Sequence, residues 1–258
     1  MARLISLCNQ KGGVGKSTTA MNLAAFLAAF GKRVLFVDID PQANATSGFG
    51  INPRKLPKSL YEVLIGRAPV DEVVKKTSFL SLDLVPASLA LAGAAIELVD
   101  IPHREYRLKE ALEPVRRNYD FIIFDCPPSL GLLTINALTA SQKTIIPVQC
   151  EYYALEGLAD LLSTIQLINA NLKTRVAVMG ALLTLYDRKS KLHRAVAKEI
   201  RRKFPGYVFE AVIPRNVSLA EAPSFGKTIM QYDPYSHGAK AYRQLAEEVL
   251  EMEGMRKA

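Results

Sequence analysis

Cysteine is scarce in this 258-residue chain: three residues, an odd number with no C-x-x-C pair, supply neither a disulfide framework nor a zinc site. That scarcity favours a reducing compartment, and a cytoplasmic protein is expected. The three histidines, His103, His193 and His237, lack metal-ligand spacing and are assigned no ligand role. No apolar run approaches the ~20 residues that span a bilayer, because Asp, Glu or Pro interrupts each one first. No signal-peptide pattern stands before the first strand-like segment, and no repeat or low-complexity linker divides the remainder of the chain. A soluble protein forming one domain over residues 1–258 is expected, and with 49% apolar residues it can bury a substantial core.

What is present is an alternation of short β-branched runs with longer helical patterns, the signature of a mostly parallel sheet covered on both faces. The segments "RLISLC", "RVLFVDID", "LDLVPAS", "DFIIFDCPP", "KTIIPVQ", "RVAVMGALLT" and "YVFEAVIP" read as strands. Helices are expected over "KSTTAMNLAAFLAAF", 104–117, 155–170, 189–204 and 237–252, with small ones at "SLYEVLIG" and "PVDEVVKK". The fold class is therefore α/β, a doubly wound, mostly parallel sheet flanked by helices on both faces.

Between the first strand and first helix lies "CNQKGGVGKSTTA", Cys8 to Ala20. It almost matches the phosphate-binding pattern G-x-x-x-x-G-K-[ST], but Gln10 stands where the first glycine belongs and a second lysine, Lys11, follows. In a strand–loop–helix setting, backbone N–H groups converge on an anion, and Gly12, Gly13 and Gly15 let phosphate oxygens approach. Lys16 is placed to reach the β- and γ-phosphates and Ser17 to hold Mg²⁺, with Thr18 a further phosphate contact. Asp125, ending the apolar run "FIIFD", fits the acid that orders the metal's water shell. Asp38 and Asp40 end the second strand beside the same crevice. A carboxylate there either handles the attacking water or tunes the metal's outer shell; the plainer alternative is a turn, since Asp and Pro start turns for local reasons.

The formal charge of +8 is concentrated. From Arg188 to Phe204 there are eight basic residues, Arg188, Lys189, Lys191, Arg194, Lys198, Arg201, Arg202 and Lys203, against the single acid Glu199. Leu192, Val196, Ile200 and Phe204 fall at intervals of four and are expected to form a buried stripe, with the basic residues on another face. A one-sign face suits a phosphate backbone and carries no base code, so sequence-independent DNA binding that weakens with salt is expected. Tyr152 and Tyr153 are read as packing residues, as are Cys126 and Cys150.

Taken together, "KGGVGKST", "VDIDPQANATSGFG", "DCPPSLG", "PRNVSLAEAPSFGKTI" and "YDPYSHGAKAY" resemble the ParA/Soj family of chromosome and plasmid partitioning ATPases along nearly the whole chain. The resemblance implies a deviant Walker P-loop NTPase with ATP and Mg²⁺ as cofactors. Its nucleotide contacts would come from Lys11, Gly12, Gly13, Val14, Gly15, Lys16, Ser17 and Thr18, with Pro214 and Asn216 of "IPRN" at the adenine. It further implies an ATP-bound homodimer in which Lys11 crosses to the partner's nucleotide, doing the work of an arginine finger. Carried over residue by residue, Lys11, Lys16 and Asp40 are catalytic, Asp40 positioning the water; Ser17 ligates the metal, and Asp38 and Asp125 lie in its outer shell. Nonspecific double-stranded DNA would be bound by Lys189, Lys191, Arg194, Lys198, Arg201, Arg202 and Arg215, placing the protein on the nucleoid, and a ParB/Spo0J-like protein would stimulate hydrolysis. Many relatives have a basic residue where this chain has Ser218, which puts a DNA contact there in question.

Two other readings share parts of the pattern. A membrane-associated positioning ATPase of the MinD type should end in a basic amphipathic helix, whereas "AYRQLAEEVLEMEGMRKA" carries four glutamates, so no membrane partner is expected. A nucleotide-gated DNA-binding regulator with little hydrolysis would keep the loop and the basic helix, and ATP turnover separates it from an ATPase.

Overall fold

The structure, a computed structural model, describes residues 1–172 and 174–255; positions 256–258, the end of "AYRQLAEEVLEMEGMRKA", lie outside the described residues. Eight strands form one sheet: β1 (Arg3–Leu7), β2 (Val34–Asp38), β3 (Lys75–Lys76), β4 (Leu82–Val85), β5 (Phe121–Asp125), β6 (Lys143–Gln149), β7 (Ala177–Tyr186) and β8 (Val208–Pro214). Their order is β3-β4-β2-β5-β1-β6-β7-β8, and every pairing is parallel except the short β3 on the edge. The five longest helices are α1 (Lys16–Ala29), α2 (Leu132–Ala140), α3 (Ala154–Asn171), α4 (Lys191–Lys203) and α5 (His237–Met252).

Side chains of a strand alternate between faces, and the sequence obeys this on three adjacent strands. Leu4, Leu35, Val37, Ile122 and Phe124 join one core layer with α2, α3 and α4. Ile5, Leu7, Val34, Phe36, Phe121 and Ile123 join the opposite layer with α1 and α5. Because both layers are apolar, these strands read as continuous hydrophobic runs.

Several boundaries differ from expectation for identifiable reasons. The helix expected over 104–117 is a short α-helix, Arg107–Leu112, between 3₁₀ turns, because Pro114 cannot continue it. The strand "LDLVPAS" stops at Val85, before Pro86. Helix α2 is not among the helices expected from the sequence; "LLTINALTA" is largely buried around its circumference, so no amphipathic period announces it.

Parallel order brings the carboxyl ends of β1, β2 and β5 together, with Leu7 opposite Asp125 and Asp38 opposite Asp125 in the registers. The segment after β2 forms a short helix, Asn44–Gly48, and continues to Gly50, at φ +80°. Gly50 packs against Gly226, at φ +63°, so closely that a Cβ on Gly226 would stand 2.7 Å from the Gly50 Cα. Gly226→Ala is therefore expected to lower the urea midpoint with little change in m, by a stability loss of about 1–3 kcal/mol.

Candidate functional site

The loop leaving β1 is fastened before it reaches the helix. Asn9 donates from Nδ2 to the Pro147 carbonyl at 2.7 Å and accepts the Lys11 N–H at 3.0 Å. Gly13 and Gly15 adopt φ of +74° and +87°, a region that favours residues without Cβ. Helix α1 then begins at Lys16 with no side-chain cap and no acid in its first turn, so its N-terminal N–H groups lack a side-chain partner. Such a terminus is suited to an anion. Lys16 is buried, and its ammonium donates to the Lys11 carbonyl at 2.9 Å. Burial holds its pKa below the usual lysine range, against the opposing pull of Asp125 and other nearby groups.

The three acids occupy distinct environments. Asp125 is fully buried, and neither carboxylate oxygen has a hydrogen-bond partner. Burial, and then the charge of Asp38, push its pKa well up; the Ser17 hydroxyl acts in the opposite sense without reaching hydrogen-bonding geometry. Asp38 is equally buried but engaged: Oδ2 accepts from the Thr46 N–H at 2.8 Å and hydroxyl at 2.6 Å, and Oδ1 accepts from the Asp40 N–H at 3.2 Å. Burial raises it to about 7 despite these bonds. Asp40 faces the cavity, with Oδ1 accepting the Gln42 N–H at 3.0 Å. Among the described residues no cluster of three or more His, Cys, Asp or Glu is placed to hold a metal ion. One orphaned carboxylate behind a serine hydroxyl does fit magnesium, which keeps most of its waters and takes few protein ligands.

Lys11 departs from the rest of the loop. Its side chain is exposed and forms an ion pair with Glu151, whose pKa that contact lowers. Glu151 has no motif to announce it. A cavity of about 430 Å³ extends from the loop, lined at the phosphate end by Gly12, Gly13, Gly15, Lys16, Ser17 and Thr18. Pro214 and Asn216 also line it, with Leu185, Leu219 and Tyr242, which sequence reasoning missed. Asn216 caps a short helix by accepting the Leu219 N–H at 3.0 Å, and Tyr242 meets the Thr19 hydroxyl at 3.1 Å. Val14 is buried rather than open to the cavity.

Helix α4 keeps its basic residues exposed, with Ser190 capping its start. Arg202 and Lys203 share Glu199, and Arg201 lies near Glu210; among the described residues Lys189, Lys191 and Lys198 have no carboxylate partner. Arg194 bonds the Arg188 and Lys189 carbonyls and keeps its charge uncompensated. Arg215 is exposed nearby, its N–H donating to the Tyr186 carbonyl at 3.1 Å. The expected apolar stripe is corrected at two members: Leu192 is 48% exposed and Val196 only half-buried, while Ile200, Phe204 and, beside the stripe, Ala197 are buried. Ser218 donates to Asp233 at 2.9 Å. Tyr152 and Tyr153 are not packing residues; both are about three-quarters exposed, at 76% and 73%, in an edge-to-face pair. All three cysteines are buried.

A family model described as an AAA domain matches residues 2–178. The sporulation initiation inhibitor protein Soj of Bacillus subtilis is 55% identical over 249 residues, covering 96% of this chain and 98% of its own. The chromosome partitioning protein ParA of Caulobacter vibrioides is 48% identical over 258 residues, covering 99% and 97%. Among solved structures, cobyrinic acid a,c-diamide synthase from Mycobacterium smegmatis with bound ATP analogue and magnesium superposes with a TM-score of 0.86 at 37% identity, over 100% of this chain and 98% of that one.

Thermal melts check the site. Lys16→Ala is expected to abolish the shift in melting temperature given by ADP. Asp125→Asn should keep a shift with ADP alone and lose the additional shift that magnesium gives the parent protein.

Proposed function

Because this chain belongs to the ParA/Soj family of partitioning ATPases, we propose that ATP binding drives two copies together, that the paired state grips DNA without regard to sequence, and that hydrolysis resets it. Gly13, Gly15 and the N-terminus of α1 receive the phosphates, and Lys16 neutralises them from below. Ser17, with Asp125 behind it, would hold magnesium, which supplies further charge neutralisation on the β- and γ-phosphates. Asp40, the one of the three acids that lines the cavity, positions the attacking water. Asp38 acts at one remove: by accepting from Thr46 and Asp40 it fixes the loop that carries Asp40.

The observation that carries this reading is the opposed placement of two lysines in one loop. Lys16 is buried at the cavity while Lys11 is exposed and is not among the residues lining it. An ammonium so placed serves a second copy. Its bond to Glu151 is solvent-exposed, an arrangement worth about 0–1 kcal/mol, so leaving it costs little. ATP lying in a two-fold interface binds the paired state preferentially and shifts the equilibrium towards it.

The basic face of α4, with Lys189, Lys191, Arg194, Lys198, Arg201 and Arg202, is the DNA surface, and Arg215 extends it. Pairing doubles that surface, so tight attachment follows the nucleotide state. A ParB/Spo0J-like partner stimulates turnover, and the protein works in the cytoplasm on the nucleoid. Among the described residues no helix is long and apolar enough to cross a membrane.

Sedimentation with a non-hydrolysable ATP analogue and magnesium should show a dimer for the parent protein and a monomer for Lys11→Ala, which still binds nucleotide. Asp40→Ala should accumulate on DNA with ATP. Replacing Arg194 and Lys198 together by alanine should spare the dimer and reduce the salt slope of DNA binding by about 0.9 for each phosphate no longer neutralised; an unchanged slope removes α4 from the DNA surface.

A further inference from the structure

The phosphate loop is also held from a strand far away in sequence. Thr184, in β7, is 1% exposed and donates its hydroxyl to the Val14 carbonyl at 2.8 Å, across 170 positions of chain. A peptide unit is planar, and in its trans form the carbonyl of one residue and the N–H of the next point in opposite directions. Fixing the Val14 carbonyl therefore fixes the direction of the Gly15 N–H, which belongs to the loop that must receive phosphate. Gly15 has no side chain to hold it, and α1 has no side-chain cap. Asn9 and Lys16 restrain the loop at Lys11, and Thr184 restrains it from β7 at the Val14–Gly15 peptide.

The neighbouring backbone supports a built arrangement. Leu185 adopts φ +51°, a left-handed conformation unfavourable for a residue with a Cβ. The register of β7 against β8 shifts between Leu183 and Tyr186, at the same place. Leu185 and Thr184 both line the cavity, together with Ile213 and Pro214 from β8. The end of β7 thus both lines the cavity and holds the loop.

We propose that Thr184 is a positioning residue of the phosphate loop, its hydroxyl orienting the Gly15 amide, through the Val14 carbonyl, for a phosphate of a nucleoside di- or triphosphate. This rests on the nucleotide-binding reading above. Without the hydroxyl the buried Val14 carbonyl loses its side-chain donor, and the peptide is free to turn in search of another.

The test compares Thr184→Val, which keeps the shape of the side chain, with Thr184→Ser, which keeps its hydroxyl. Calorimetry with ADP and magnesium is expected to give an affinity about tenfold weaker for Thr184→Val and within about twofold of the parent for Thr184→Ser. Adenosine, which has no phosphate to place, should bind both variants as it binds the parent, measured by ligand-observed NMR. Equal ADP affinity in the parent and Thr184→Val overturns the proposal, as does an equal loss for adenosine and ADP, or failure of Thr184→Ser to restore binding. If Thr184→Val does not fold, Thr184→Ala takes its place under the same expectations. A parent protein that binds no ADP would instead sink the nucleotide reading itself, an outcome visible before any variant is made.

Discussion

Lys16 carries its ammonium into the interior and bonds the Lys11 carbonyl, and this contact fixes the backbone from which the Lys11 side chain leaves in the other direction. Asp125, brought near it from the end of β5, is buried with both oxygens unpartnered. Burying one charge is costly, and burying two that do not complete one another is more so. The raised pKa of Asp125 and the lowered pKa of Lys16 express that cost. An anion beside Lys16 and a cation beside Asp125 would each relieve part of it.

The rest of the fold serves this arrangement. Parallel strands bring Asp38 and Asp125 side by side at one end of the sheet, where loops rather than strands meet the ligand. Thr46 ties the end of β2 to the segment after β4, its hydroxyl donating to Asp38 while accepting the Ala87 N–H at 3.0 Å. Asp40 is thereby set at the cavity by a neighbour that itself stays out of it. The basic helix α4 stands apart from the cavity lining, joined to the end of β7 by the bond from the Asp187 N–H to His193 Nδ1 at 2.9 Å.

The loop of the candidate site is legible because its geometry is local: a strand, glycines at positive φ and Lys16–Ser17 at a helix start form one continuous segment. The basic face of α4 was legible for the same reason, since its charges repeat along one helix. What escaped notice depends on distant approach. Glu151 pairs with Lys11 and Thr184 with Val14 because β6 lies beside β1 in the sheet and β7 lies beside β6, and no periodicity encodes that order. The positive φ of Leu185 within β7 is invisible where neither glycine nor asparagine marks it. Tyr152 and Tyr153 looked like core because aromatics usually are, and their exposure follows from the turn that precedes α3.

The proposed function assigns the two lysines of one loop opposite duties, one to its own subunit's nucleotide and the other to a neighbour's. Mixing Lys11→Ala with Lys16→Ala measures this directly. The first variant keeps a nucleotide site but lacks the donated ammonium; the second cannot bind nucleotide but can donate its own Lys11. The mixture should hydrolyse ATP at a rate that neither variant shows alone, whereas a rate no greater than the sum of the two would contradict the assignment of Lys11 to the opposite subunit.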